Sequence, residues 1–256
     1  MGEYVTCAMP DGAAQCYVAG SGGPGEGKGV LLFMDAIGLR PQIERMAERI
    51  ASWGYVVLAP NTFWRSGSVT ALAPKTDLRD PANRAAFFAS GPMDRVRALT
   101  ADQQDADLDM WMAALRSRTT EPDIGPPSPL GTVGYCFGGR LALRAAARRP
   151  EDFAVVGMFH TGGIVTESPD SPHLLAPRVR AFVLAGHADG DRSNTPEQVR
   201  AFDDALEAAG IDHRTAIYPG AEHGFTMADT SSHQATGEQR HYLELREALD
   251  AGLTPH

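Results

Sequence analysis

Gly134-Tyr135-Cys136-Phe137-Gly138-Gly139 constrains this chain more than any other stretch, because it sets one cysteine between glycines where an apolar strand gives way to a helix. A turn that tight collides with any flanking side chain larger than hydrogen and leaves the central side chain standing above the sheet. Gly131 to Gly134 reads as a short buried strand, and Leu141, Ala142, Leu143 and Ala145 to Ala147 as the helix that follows. The first amides of such a helix favour a thiolate and any oxyanion formed beside it. Cys136 is therefore a candidate nucleophile. The competing reading is a buried structural cysteine in a glycine-rich turn.

With 256 residues, no internal repeat and no clear linker, residues 1–256 are expected to form a single α/β domain. The net charge of −9 offers no basic surface for nucleic acid or an anionic membrane, and neither is expected as a partner. The apolar runs fall short of the roughly 18 residues that span a bilayer, and the N-terminus lacks a basic stretch followed by an apolar one. A cytoplasmic location is the expectation. The three cysteines, Cys7, Cys16 and Cys136, form neither a disulfide framework nor a metal-ligand spacing, so no metal and no cofactor are expected. Cys7 and Cys16 sit in two short apolar segments joined by Pro10-Asp11-Gly12 and read as packed hairpin residues.

Ser21 to Gly29 imitates a phosphate loop, with Gly22, Gly27 and Lys28 in Walker spacing. The match fails at Gly29, where a Mg²⁺-binding Ser or Thr is required, and the next residues form a strand rather than a helix. Pro41 opens a helix with Ile43, Met46, Ala47 and Ile50 on one face, and Tyr55 to Ala59 is the next strand. Residues from about 60 to 100 are polar and poorly periodic except near Arg84 to Ala89, and read as a cap-like excursion. The stretch Glu121 to Pro129 is a proline-rich surface connection. Leu108, Trp111, Met112 and Leu115 mark a helix; Phe153 to Phe159, Val179 to Ala185 and Arg214 to Tyr218 mark strands; Tyr242 to Leu249 marks a closing helix. Thr195-Pro196-Glu197-Gln198 is a capping box opening a further helix. Strands alternating with helices imply a mainly parallel central sheet covered by helices on both faces, with the active site at the strands' C-terminal ends.

A cysteine nucleophile needs a base, and the base needs an acid to fix its tautomer. Asp189 follows the Val179 to Ala185 strand, and His223 follows the last strand in Gly220-Ala221-Glu222-His223-Gly224-Phe225. Nucleophile, acid, histidine is the chain order of α/β-hydrolases. Asp191 competes with Asp189 for the acid, and His160 and His187 compete with His223 for the base. His213 precedes the last strand and lies at the wrong end of the sheet.

The elbow, the later aspartate and the Glu222-His223-Gly224-Phe225 segment resemble the dienelactone hydrolase (carboxymethylenebutenolidase) family of the α/β-hydrolase superfamily, along nearly the whole chain. The resemblance implies an α/β-hydrolase fold and cleavage of a small-molecule ester or lactone. It makes Cys136 the nucleophile, His223 the base and Asp189 the orienting acid, with the amides of Ala36 and Phe137 as oxyanion hole. The family's strand-end glutamate, which readies the thiol, matches Asp35, one methylene shorter. The family holds its substrate's carboxylate with two arginines; Arg84, four residues before Phe88, matches one, and Met227 stands where the other belongs. Losing one arm of that pair weakens recognition of an anionic lactone. Trp64, Arg84, Phe88, Phe159, His160 and Met227 are the candidate substrate-binding residues, and Trp64, Phe63, Phe159 and Met227 suggest a more apolar pocket. Acyl transfer or thioester cleavage by the same groups, and a non-catalytic binding protein of this fold, are the alternatives. Monomer and homodimer are both compatible with the sequence.

Overall fold

The computed structural model describes residues 2–20, 28–119 and 127–253. Most of the phosphate-loop imitation, 21–27, and most of the proline-rich connection, 120–126, lie outside the described residues. The chain divides into two compact units, Met1–Leu130 with Asp229–Ser231, and Gly131–Ala228 with Ser232–His256.

The first unit opens with the strands β1 (Glu3–Met9) and β2 (Gly12–Ala19), an antiparallel hairpin in which Val5 faces Cys16 and Cys7 faces Ala14. Both cysteines are buried, as packed hairpin residues should be. β3 (Lys28–Phe33), α1 (Pro41–Ala51) and β4 (Tyr55–Pro60) follow as a parallel crossover unit, giving the strand order β1-β2-β4-β3. Pro41 occupies the first turn of α1, where its missing N–H costs nothing, and Ile43, Met46, Ala47 and Ile50 are buried at helical spacing.

The excursion is helical rather than slack. It holds α2 (Val69–Leu72), α3 (Pro81–Ala89) and α4 (Pro92–Ala98), ahead of α5 (Ala101–Arg116). Asp80 caps α3 by accepting from the Ala82 amide, and Thr100 and Gln103 form a reciprocal capping box on α5. The sequence pattern revealed α3 and α5 but not α2 and α4, which are too short to display helical periodicity. Leu108, Trp111, Met112 and Leu115 are buried along α5 as expected, and Asp107 joins them, its carboxylate held by Arg65 at 2.7 and 2.9 Å.

The second unit runs β5 (Leu130–Tyr135), α6 (Phe137–Arg148), β6 (Phe153–Phe159), a 3₁₀ helix (Pro172–Arg178), β7 (Phe182–Ala188), α7 (Pro196–Ala208), β8 (His213–Tyr218) and α8 (Ala235–Leu253). Its strand order is β5-β6-β7-β8, with β6, β7 and β8 parallel. β6 is buried on both faces. A side chain on Gly157 would strike Leu245 of α8, one on Gly252 of α8 would strike Val155, and the Phe159 ring meets His241 of α8. Residues 155, 157 and 159 thus face α8, which leaves the side of Val156 and Met158 for α6. The capping box of α7 forms as the sequence implied, with the Thr195 side chain accepting from the Gln198 amide.

One boundary matters for the site. The strand expected at 179–185 instead occupies 182–188, three residues on, after a 3₁₀ turn at Pro172–Arg178.

Candidate active site

The elbow joining β5 to α6 places Cys136 at φ 55° and ψ −120°, a conformation that L-residues adopt only when the surroundings impose it. Those surroundings are visible. A Cβ on Gly134 would lie 2.0 Å from the Gly138 carbonyl oxygen, and one on Gly139 would lie 1.9 Å from Thr161 Oγ1. The Cys136 amide donates to the Phe159 carbonyl at 3.0 Å, tying the elbow to the end of β6. Strain of this kind costs about 1–3 kcal/mol and gathers at functional positions.

His223 sits in the loop after β8, which Gly220 at φ 64° and Gly224 at φ 95° allow to turn back sharply. Its Nε2 is 3.0 Å from Cys136 Sγ, and its Nδ1 is 2.7 Å from Asp191 Oδ2. The other Asp191 oxygen accepts from the Ser193 amide at 2.8 Å and the Ser193 hydroxyl at 2.5 Å. Asp191 is thereby buried but fully solvated by protein donors. Burial works to raise its pKa, and the bonds from His223 and Ser193 outweigh that and hold it below the usual carboxylate value. For His223, burial disfavours the charged form, but the negative charge of Cys136 and the bond to Asp191 push its pKa up to about 10. The Cys136 sulfur therefore lies against an imidazole held in its charged form around neutral pH.

The pH dependence follows from the sign of that shift. A histidine raised above its unfolded value of about 6.5 stabilises the fold fully below that pH and loses the contribution as pH climbs toward 10. Thermal melts of wild type are expected to show Tm falling between these limits, and His223→Gln to flatten the slope. Equal slopes in the two proteins would refute the assignment.

The carboxylate beside His223 is Asp191, not Asp189. With β7 running to Ala188, Asp189 is the first residue past the strand, and its exposed carboxylate accepts from the Gly220 amide at 3.2 Å. The turn closed by the Asp191 amide on the Ala188 carbonyl then carries Asp191 back toward the histidine. Ser193 was missed. Its signal was present in Asp191-Arg192-Ser193, since an aspartate accepting from the amide two residues on is an Asx turn.

A match to the dienelactone hydrolase family model covers residues 14–251. This chain belongs to the dienelactone hydrolase family. A relative from Escherichia coli K12, provisionally named carboxymethylenebutenolidase, is 28% identical over 213 residues, spanning 82% of this chain and 72% of the relative. The carboxymethylenebutenolidase of Rhodococcus opacus is 25% identical over 222 residues, 86% of this chain and 79% of that one. Among solved structures, a provisionally named dienelactone hydrolase from Klebsiella pneumoniae superposes with a TM-score of 0.79 at 20% identity over 97% of each chain. That likeness establishes the α/β-hydrolase fold.

Several family positions are placed differently from the sequence expectation. The Asp35 carboxylate is engaged within the first unit. Arg40, itself buried, donates to it at 2.7 and 3.1 Å, and the amides of Ile37 and Gly38 bond it at 3.0 and 3.3 Å. Arg40 also binds Asp229, so two carboxylates share one guanidinium. Arg40 had no sequence signal, because an arginine beside a helix start ordinarily reads as solvated.

Phe159 is a core residue, fully buried and stacked on Tyr135, so it does not line a pocket. Trp64 is fixed from both sides, its indole N–H donating to Asp107 at 3.0 Å and Arg65 lying over its ring. Phe63 and Met227 are buried. Arg84 and Phe88 do stand together, the guanidinium 5.4 Å from the ring on the surface of α3. His160 lies with its ring 5.3 Å from that of His223 and its Nε2 2.7 Å from Thr226 Oγ1. Burial, with the adjacent His223 charge, holds His160 far below the ordinary histidine value, and its Nε2 is turned to Thr226 while His223 takes the contact with Cys136. His187 is buried, its pKa lowered by burial to about 4, and it stays neutral. No cluster of metal-ligating side chains occurs among the described residues, and no helix there is long and apolar enough to cross a membrane.

Proposed function

We propose that this chain is a cysteine hydrolase that cleaves a small-molecule ester or lactone through an acyl-enzyme on Cys136. The observation that carries the reading is the continuous chain Sγ to Nε2 at 3.0 Å and Nδ1 to Asp191 at 2.7 Å. The thiolate attacks the carbonyl carbon, forming a C–S bond and a tetrahedral oxyanion. The amide of Phe137, in the first turn of α6, is the oxyanion donor. Collapse breaks the C–O bond, and the leaving oxygen takes the proton on His223 Nε2. A water then gives a proton back to Nε2 and attacks the thioester carbonyl; the C–S bond breaks, and the acid product leaves a thiolate beside an imidazolium. Asp191 holds the tautomer with the proton on Nδ1 and steadies the imidazolium throughout.

Intact-protein mass spectrometry during turnover of p-nitrophenyl acetate tests this directly. A transient acetyl adduct mapped to Cys136 is the expected result, and an adduct on Cys7, Cys16 or no residue would overturn it. The buried Met227, at the position where the family resemblance implies a second arginine, supports an uncharged acyl group as substrate. Losing one charged contact to a substrate costs about 2–5 kcal/mol when the partner charge is buried. Neutral lactones are accordingly expected to show a higher kcat/KM than dienelactone, measured side by side. The reverse order would mean that Arg84 or another group already holds the carboxylate.

A further inference from the structure

The helical excursion encloses an open cleft of about 720 Å³, formed by α2, α3, α4 and the segments between them. That volume lies within the range of small-molecule sites. The cleft uses a different face of α3 from the one bearing Arg84 and Phe88. Its lining residues Asn83, Ala86, Phe87 and Ser90 recur at helical spacing, one position and about 100° around from the Arg84–Phe88 pair. Leu72, Phe87 and Ala98 give it apolar walls.

Its charges are one-sided. Lys75 makes no hydrogen bond or ion pair among the described residues. Arg95 reaches in from α4. One of its terminal nitrogens is occupied by the carbonyls of Ala36 and Ile37, both at 2.8 Å; the other has only a 3.5 Å contact with the Leu72 carbonyl. Its Nε is buried without a hydrogen-bond partner; the guanidinium rests on the Phe63 ring, 4.9 Å from its centroid, and feels the Asp35 charge, but no carboxylate hydrogen-bonds it among the described residues. The one acidic lining residue, Asp94, is already paired with Arg97. Apolar walls with two cations at the mouth match a ligand having an apolar body and a single negative head.

We infer that this cleft is a second binding site, for an amphiphilic monocarboxylate held by Lys75 and Arg95 over Phe87 and Leu72. Because Arg95 also grips the backbone at Ala36 and Ile37, an occupant touches the residue that fixes the turn following β3. The site goes beyond the hydrolase reading and does not depend on it.

Calorimetric titration of the full chain with octanoate, and with octanol as the uncharged control, tests the inference without reference to turnover. Octanoate is expected to bind at least about tenfold more tightly than octanol, the worth of a charge-assisted contact. Lys75→Gln and Arg95→Gln should each weaken octanoate about tenfold and leave octanol unchanged, while Phe87→Ala should weaken both. Cys136→Ala should bind octanoate as wild type does. Octanoate binding no better than octanol, or unaffected by Lys75→Gln, or abolished by Cys136→Ala, would overturn the proposal. Lys75 is exposed, so its variant keeps the test interpretable even if Arg95→Gln folds poorly.

Discussion

Cys136→Ala is expected to lower kcat for a chromogenic ester by roughly two orders of magnitude or more while leaving Tm near that of wild type. On the proposed mechanism the size follows from nucleophile, base and acid acting as a unit: without the sulfur beside His223 Nε2, no acyl-enzyme would form. The near-constant Tm follows from the site's partial exposure and from what remains. Alanine removes one sulfur from an intermediate-exposure position, and the strained elbow is held by Gly134, Gly139 and the bond to Phe159 rather than by the side chain. Iodoacetamide should inactivate the wild type by reaction at this one residue. Inactivation that tracks labelling of Cys7 or Cys16, with Cys136 untouched, would remove the basis for the mechanism.

The second large effect is expected at Asp191. Asp191→Asn should cut kcat by roughly 10²–10⁴-fold, because an amide can present an N–H to the imidazole and select the tautomer with its proton on Nε2, which cannot accept one from the thiol. Asp189→Asn should stay within about twofold of wild type, as expected for an exposed side chain that only accepts from the Gly220 amide. The two variants measured together, with Ser193→Ala, decide the matter. A larger loss at Asp189 would mean that the loop after β7 rearranges when substrate binds. Ser193→Ala should fall between the two, since it removes one of the two donors to Asp191 Oδ1 and leaves the His223 contact in place.

Local rules made much of the architecture legible. The elbow glycines, Pro41 at the start of α1, the Thr195 capping box and the apolar stripe on α5 each express a short-range constraint. Sterics, a missing N–H, a side chain reaching three residues along and a 3.6-residue period all act within one or two turns of chain. Cys136 and His223 were readable for the same reason, each marked by glycines that its own turn requires. Short elements such as α2 and α4 were not, because four to seven residues cannot display a period.

What only the tertiary structure decided is where side chains from distant segments meet. Asp189 and Asp191 differ by two positions in one loop, and local sequence cannot rank them. The choice depends on where β7 ends, at Ala188, and on a histidine that follows a different strand. Phe159 and Trp64 were aromatic residues at plausible sites until their neighbours, Tyr135 and Asp107, showed one to be core and the other to be clamped. Asp35 and Arg40 could be paired only once β3 and α1 were folded, with Asp229 brought in from 189 residues away. Periodicity and turn chemistry are properties of neighbouring residues and survive in a string of letters. Pairing, burial and charge balance depend on distance in space, and exist only when the chain has closed.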